Sequence, residues 1–151
     1  MKQNDPVRVA IIIGSIRTGR FGSTVGRWFA EFAAGRTDLE VTEIDLIDYD
    51  LSHELDETPS QISLCGRFAN VDSFVIVTPE YNHSFPGPLK TAIDCTDREF
   101  AGKPVAFVSY GGLSGGLRAV AALRVVMSEV HAVTVREVVS IHGGRSQFGE
   151  N

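Results

Sequence analysis

Residues 72–94, DSFVIVTPEYNHSFPGPLKTAID, pass from strand to loop to helix in one stretch. Asp72 to Val77 is a β-run that reads as a central strand. It breaks off into a polar loop bracketed by Pro79 and Pro86, and a helix is expected from about Pro88 to Cys95. In open α/β sheets, ligands bind outside the carboxyl ends of the strands. The loop carries Glu80, Tyr81, Asn82, His83 and Ser84, more hydrogen-bonding chemistry than a plain connection needs. It therefore marks the tip of a central strand as a site.

The same strand–loop–helix grammar extends in both directions. Val7 to Ile13 (VRVAIII) reads as a strand buried on both faces, followed by the loop GSIRTGRFGST. From Ser23, the positions Val25, Trp28, Phe29, Phe32 and Ala33 recur at helical spacing as a core stripe, and Gly35 stops the helix. Leu39 to Leu46 is a more polar strand, expected at a sheet edge. After an acidic irregular stretch, Thr58-Pro59-Ser60-Gln61 reads as a capping box with proline in the first turn. The helix it opens is expected to bury Ile62, Cys65, Phe68 and Ala69. Lys103 to Tyr110 is a fourth strand ending in GGLSGG (111–116). A helix with Val120, Leu123, Met127 and Val130 on one stripe follows, then a fifth strand, Val133 to Ile141. Residues 142–151 read as a polar tail.

Strict alternation of strands and helices implies an α/β fold with a parallel sheet between helical layers. Five strands fit the order 2-1-3-4-5 of a flavodoxin-like three-layer sandwich, with its crevice where the first and third strands part. Right-handed crossovers put the first helix on one face and the next three on the other. The helix that would normally shield the first face beside helix one is expected to be missing. Strands three to five should then expose apolar surface for a partner subunit, or for further chain, to cover.

The chain has 151 residues, 43% of them hydrophobic and 22% charged, with a formal net charge of −5. That length suits one domain, residues 1–151, and the acidic balance argues against general affinity for nucleic acid. No apolar run reaches the ~18 residues of a membrane helix, and the amino terminus lacks signal-peptide architecture, so a cytoplasmic protein is expected. Cys65 and Cys95 are too few for a disulfide framework and leave room for one bridge, but they read as buried small hydrophobes in a reducing compartment.

The first loop suits a phosphate. Amides at a helix start favour an anion, Ser15, Ser23 and Thr24 add hydroxyls, and Arg17 and Arg20 add charge. Gly14 and Gly19 have the spacing of a triphosphate loop, but Arg20 and Phe21 stand where its lysine and metal-binding hydroxyl would be. A dinucleotide GxGxxG is absent, so a phosphomonoester held without metal is expected. The glycine loop at 111–116 could lie close to a flat ring. Glu80 is read as structural or ligand-orienting rather than a proton-transfer base. His83 lacks companions for a metal site. His53, His131 and His142 are read as surface or cap residues. Ser84 lacks a nucleophile elbow, and neither cysteine has the context of a reactive thiol. An anion cradle and an aromatic loop without an acid–base, nucleophile or metal set suit a cofactor that does its own chemistry. The residues leave open an electron carrier and a non-enzymatic ligand-binding protein.

GSIRTGRFGS (14–23), the 78–94 stretch and GGLRAVAALRVVM (115–127) together resemble the NADPH-dependent FMN reductase family, which includes quinone, azo-dye and chromate reductases. The resemblance covers nearly the whole chain. It implies FMN as cofactor, NADPH or NADH as co-substrate and a small-molecule electron acceptor. It places the FMN phosphate near Ser15, Arg17 and the amides of Arg20, Phe21, Gly22 and Ser23. The ring and ribityl chain would lie against Pro79, Glu80, Tyr81 and Asn82, with Tyr110, Gly111, Gly112 and Gly115 on the other side. It also implies a homodimer or homotetramer with the flavin near a subunit interface, where His83 would sit. Two departures stand out. Arg20 occupies a position where many members carry a hydroxyl, and members commonly continue into the last helix that this chain was expected to lack.

Overall fold

A computed structural model describes residues 5–52 and 54–149; His53 lies outside the described residues. Five strands form one parallel sheet in the order β2-β1-β3-β4-β5. They are β1 (Val7–Ile13), β2 (Leu39–Asp45), β3 (Ser73–Pro79), β4 (Pro104–Gly111) and β5 (Val133–His142). Helices α1 (Gly22–Ala34), α2 (Pro59–Ala69), α3 (Gly87–Asp94) and α4 (Leu117–Glu129) connect them, and a 3-10 turn, Leu46–Asp48, follows β2. The strand order and the edge position of β2 are as the sequence implies.

The two faces of the sheet divide the helices as crossover handedness requires. Leu64 and Phe68 of α2, Leu89 and Ile93 of α3, and Leu123 and Met127 of α4 pack on Ile12, Phe74, Ile76 and Phe107. On the other face, Val25 and Ala30 of α1 pack on Ile11, Val75, Val77 and Val108. Phe68, Phe74 and Phe100 form an aromatic knot on the first face, with centroids 4.4–5.6 Å apart.

Helix phase is where the structure corrects the sequence reading. In α1 the inward stripe is Gly22, Val25, Gly26, Ala30 and Ala33, while Trp28 is 40% and Phe32 71% exposed. The cause is close approach to the sheet. A Cβ on Gly26 would stand 2.6 Å from Ile13 Cδ1, so small residues face inward and the aromatics ride the outer flank. In α2 the capping box forms as expected. Gln61 N donates to Thr58 Oγ1 at 3.2 Å and Thr58 N to Gln61 Oε1 at 2.9 Å. That cap turns Gln61, Leu64 and Phe68 inward, so Ile62 is 60% exposed, Cys65 half-buried and Ala69 exposed. Cys95 is half-buried as well.

The polar stretch after β5 is not an irregular tail. Gly144–Gln147 forms a one-turn helix, α5, and Phe148 packs edge-on against Phe21 and Trp28, with centroids at 5.3 and 5.7 Å. The expected bare face is correspondingly smaller. Val75, Val77 and Val108 are buried, because α1 reaches across to β3 and the aromatic group closes the carboxyl end. Among the described strand residues, the exposed large apolar side chains are Val133, Val135 and Val139 of β5. The register of this edge strand shifts opposite Val105–Phe107. Arg124 holds the irregularity by donating to Thr134 Oγ1 at 3.0 Å and to the Arg136 carbonyl at 2.8 Å. A kinked, charged edge resists pairing with another chain.

These packing assignments have a measurable consequence. Phe68→Ala should cost about 3–5 kcal/mol in chemical denaturation, whereas Phe32→Ala should stay within about 0.5 kcal/mol. Comparable losses would put Phe32 in the core and overturn the helix phase.

Candidate functional site

Because every strand runs the same way, the loops after β1, β3, β4 and β5 meet at one edge of the sheet. Between β1 and β3 the chain reverses its direction of strand addition, which parts the loops. A cleft of about 720 Å3 opens there.

Arg17, Thr18, Gly19, Arg20 and Phe21 form the first wall. Ser15 lies beneath it, fully buried, its Oγ 2.8 Å from Tyr81 Oη. Helix α1 begins at Gly22 with no side-chain cap bond from Phe21 and no acidic residue in its first turn, so no carboxylate of its own first turn offsets the positive end of its dipole. A side chain at Gly22 would strike Tyr110 Oη, 2.6 Å from the Cβ position; Ser23 follows half-buried. The amide of Arg20, expected to face a phosphate, instead donates to the Arg17 carbonyl at 3.0 Å and closes a turn.

The Arg20 side chain turns inward. Its guanidinium is paired with Asp45, at the carboxyl end of β2, and its side chain is 12% exposed. Nε and Nη1 are shut off from water with no hydrogen-bond partner. Burial pushes the Asp45 carboxyl above its usual range, against the opposing pull of the Ile47 N–H and the Arg20 charge. Enclosed donors without acceptors are costly, and an anion held against them would remove the cost.

Pro79, Glu80 and Tyr81 form the second wall. Glu80 is a tie between loops. It accepts from Ser114 Oγ at 2.5 Å, from Arg118 Nε at 2.6 Å and from the Arg118 amide at 3.2 Å, with its side chain 7% exposed. Burial raises its carboxyl, but the bonds from Ser114 and Arg118 and the Arg118 charge outweigh this and hold it below the usual range. Beyond Tyr81 the chain reverses through reciprocal bonds between Tyr81 and Ser84, at 2.8 and 3.0 Å. Asn82 and His83 form the exposed apex with φ of 49° and 68°, outside the cleft lining. The geometry of this turn explains an asparagine here without any ligand.

Tyr110, Gly111 and Gly112 form the third wall. Burial, with Tyr81 as the next contribution, holds the Tyr110 hydroxyl well above its ordinary value, so it stays a neutral phenol. Gly115 lies below the surface, its carbonyl accepting from Ser109 Oγ at 2.8 Å and Ser140 Oγ at 3.0 Å. His142 Nδ1 lies 3.1 Å from the Leu113 carbonyl oxygen and ties this loop to the end of β5.

Gly143, Gly144, Arg145 and Ser146 make a fourth wall that the sequence reading missed. The available signal was topological, since a Gly-Gly pair after a fifth parallel strand must fall at the same edge. The two cysteines are elsewhere, on a second groove between α2 and α3. Cys65 Sγ donates to the Cys95 carbonyl at 3.2 Å, and burial pushes its thiol up to about 11.

The family model for NADPH-dependent FMN reductase matches residues 7–146. The chain belongs to this family. Among its relatives, an NAD(P)H-dependent FMN reductase of Schizosaccharomyces pombe is 36% identical over 121 residues, covering 72% of this chain and 60% of the relative. The chain thus spans 60% of that relative's length. A quinone reductase of Escherichia coli K12 is 32% identical over 143 residues, covering 89% and 76%. A solved flavoenzyme NAD(P)H:(acceptor) oxidoreductase from Paracoccus denitrificans superposes with a TM-score of 0.73 at 29% identity, covering 88% of this chain and 78% of that one. The apo form of an NADH:FMN oxidoreductase shares the fold with a TM-score of 0.81.

The Glu80 tie has a pH signature. Its folded value lies below the ordinary 4.5, so its contribution to stability is complete above that pH and fades as pH falls through the folded value. Glu80→Gln should therefore be less stable than the parent at neutral pH, and the gap should close in acid. A gap that persists unchanged to pH ~3 would show that ionisation of Glu80 contributes nothing.

Proposed function

We propose that the chain is an FMN-dependent NAD(P)H oxidoreductase that draws electrons from NADPH or NADH and delivers them to a small-molecule acceptor of quinone, azo or flavin type. The observation that carries this is the Arg20 guanidinium, buried at the cleft with two nitrogens that find no acceptor, beside the uncapped start of α1. A phosphomonoester matches that donor set, and the chain has no lysine there to hold a magnesium triphosphate. In this reading the FMN phosphate is held by Arg20, with Arg17 and the amides of Phe21, Gly22 and Ser23 around it. Asp45 holds the Arg20 guanidinium in place.

The ring would lie between Pro79–Tyr81 and Tyr110–Gly112. Bound FMN would supply the redox chemistry between the nicotinamide and the acceptor. The residues orient, shield and fix. Pro79 and Tyr110 present buried apolar walls that keep water from the ring, and Ser15 steadies the Tyr81 ring through its hydroxyl. Glu80 locks the second wall to the third and is committed to those bonds rather than to moving protons. Gly111 and Gly112 let backbone approach a flat ligand. The same reading extends to a homodimer or homotetramer, supported by the exposed Trp28, Phe32, Val133 and Val139.

Anaerobic mixing of the FMN-loaded protein with NADPH or NADH tests the activity. The flavin band, at roughly 450 nm, should bleach with at least one nucleotide and return when a quinone is added. A loaded protein that neither nucleotide bleaches contradicts it. A second expectation concerns affinity. Arg20→Ala combined with Asp45→Asn, which avoids stranding the carboxylate, should weaken FMN binding about tenfold or more, the scale of a charge-assisted bond. Unchanged FMN binding would remove Arg20 from the phosphate site.

A further inference from the structure

We infer that the turn after β5 is part of this site and that Arg145 is a positioning residue for the anion loop; the inference rests on the FMN reading above. Arg145 Nη2 donates to the Gly19 carbonyl at 2.7 Å, joining residues 126 positions apart. Its guanidinium carbon lies 5.8 Å from the centre of the Phe21 ring. The turn is seated from three sides. Gly143 N donates to the Gly111 carbonyl at 2.9 Å, Phe148 stands edge-on to Phe21, and Gly144 lies so near Phe21 that a Cβ would stand 2.8 Å from its ring. Residues 143–146 thus form a cleft wall anchored to both the first and the third loops.

The carbonyl that Arg145 takes is the one that matters to an anion. Gly19 and Arg20 share a peptide plane, whose C=O and N–H point in opposite directions. The Arg20 N–H is committed to the Arg17 carbonyl, and the Gly19 oxygen to Arg145, so the plane is held from both ends. Gly19 has a φ of +67°, a position where glycine can flip between conformations at little cost. Without the guanidinium only the Arg20 N–H bond to the Arg17 carbonyl holds the plane, and a flip that breaks it would turn the carbonyl oxygen toward the phosphate, where it would repel it. Arg145 removes that alternative and leaves the loop ready for an anion, which lowers the ordering cost of binding. The effect belongs to the phosphate end and not to the ring.

Fluorescence titration of the full chain with FMN and with riboflavin, which lacks the phosphate, tests this in the parent, Arg145→Ala and Arg145→Gln. Arg145→Ala should weaken FMN about fivefold, the scale of one hydrogen bond, and leave riboflavin affinity unchanged. Arg145→Gln keeps a donor for the Gly19 carbonyl without the charge, and should recover most of the lost FMN affinity. The inference is overturned if Arg145→Ala leaves FMN unchanged, or if FMN and riboflavin weaken equally, which would mean the turn only supports the fold. It is also overturned if glutamine is as weak as alanine, which would assign the effect to charge acting directly on the phosphate. A parent chain that binds neither flavin would overturn the cofactor reading itself, and this inference with it. A parent that binds FMN isolates the fate of Arg145.

Discussion

Parallel hydrogen bonding across five strands imposes a directional constraint from which the cleft follows. Each connection must travel back over a face of the sheet, so the helices cover the faces and every carboxyl end arrives at one edge. The loops after β1, β3, β4 and β5 carry little regular structure of their own, yet they share a wall because the sheet holds their starting points in register. What they then need is a set of ties strong enough to fix their tips. Glu80 with Ser114 and Arg118, Ser15 with Tyr81, and Arg145 with Gly19 supply them.

Two charge arrangements at this edge behave differently. Glu80 is enclosed but satisfied, with three donors on its carboxylate, and it acts as a fastener. Arg20 is enclosed and only partly satisfied, its Asp45 partner answering one nitrogen while two others find no acceptor. A buried ion pair repays its desolvation only when the remaining donors are also met. An incomplete pair beside an uncapped helix start is therefore a reason to expect an anion.

Much of this architecture was legible from residue order. Strict alternation, the β-branched runs and the Thr58–Gln61 box predicted the sheet order, the edge strand and the start of α2, because those features depend on local chemistry. Helix phase was less legible. Trp28, Phe32 and Ile62 look like core residues by hydrophobicity, but Gly26 draws α1 so close to Ile13 that Trp28 and Phe32 are displaced outward, and the cap of α2 turns Gln61, Leu64 and Phe68 inward in place of Ile62. At the site, Arg17, Arg20, Phe21, Pro79, Glu80, Tyr81, Tyr110, Gly111 and Gly112 do converge on one cleft, since their loops were read correctly. Asn82 does not, because reciprocal Tyr81–Ser84 bonds carry it away on a turn. Arg145 was hidden because a short polar stretch has no periodicity, and its value lies in a contact made across 126 positions.

The central claim is that this edge of the sheet holds a flavin by its phosphate. Incubating the purified chain with FMN, removing unbound ligand by gel filtration and recording the visible spectrum tests it most directly. A retained flavin spectrum, lost when riboflavin replaces FMN, is the result expected. A protein that emerges colourless after incubation with FMN would contradict the account.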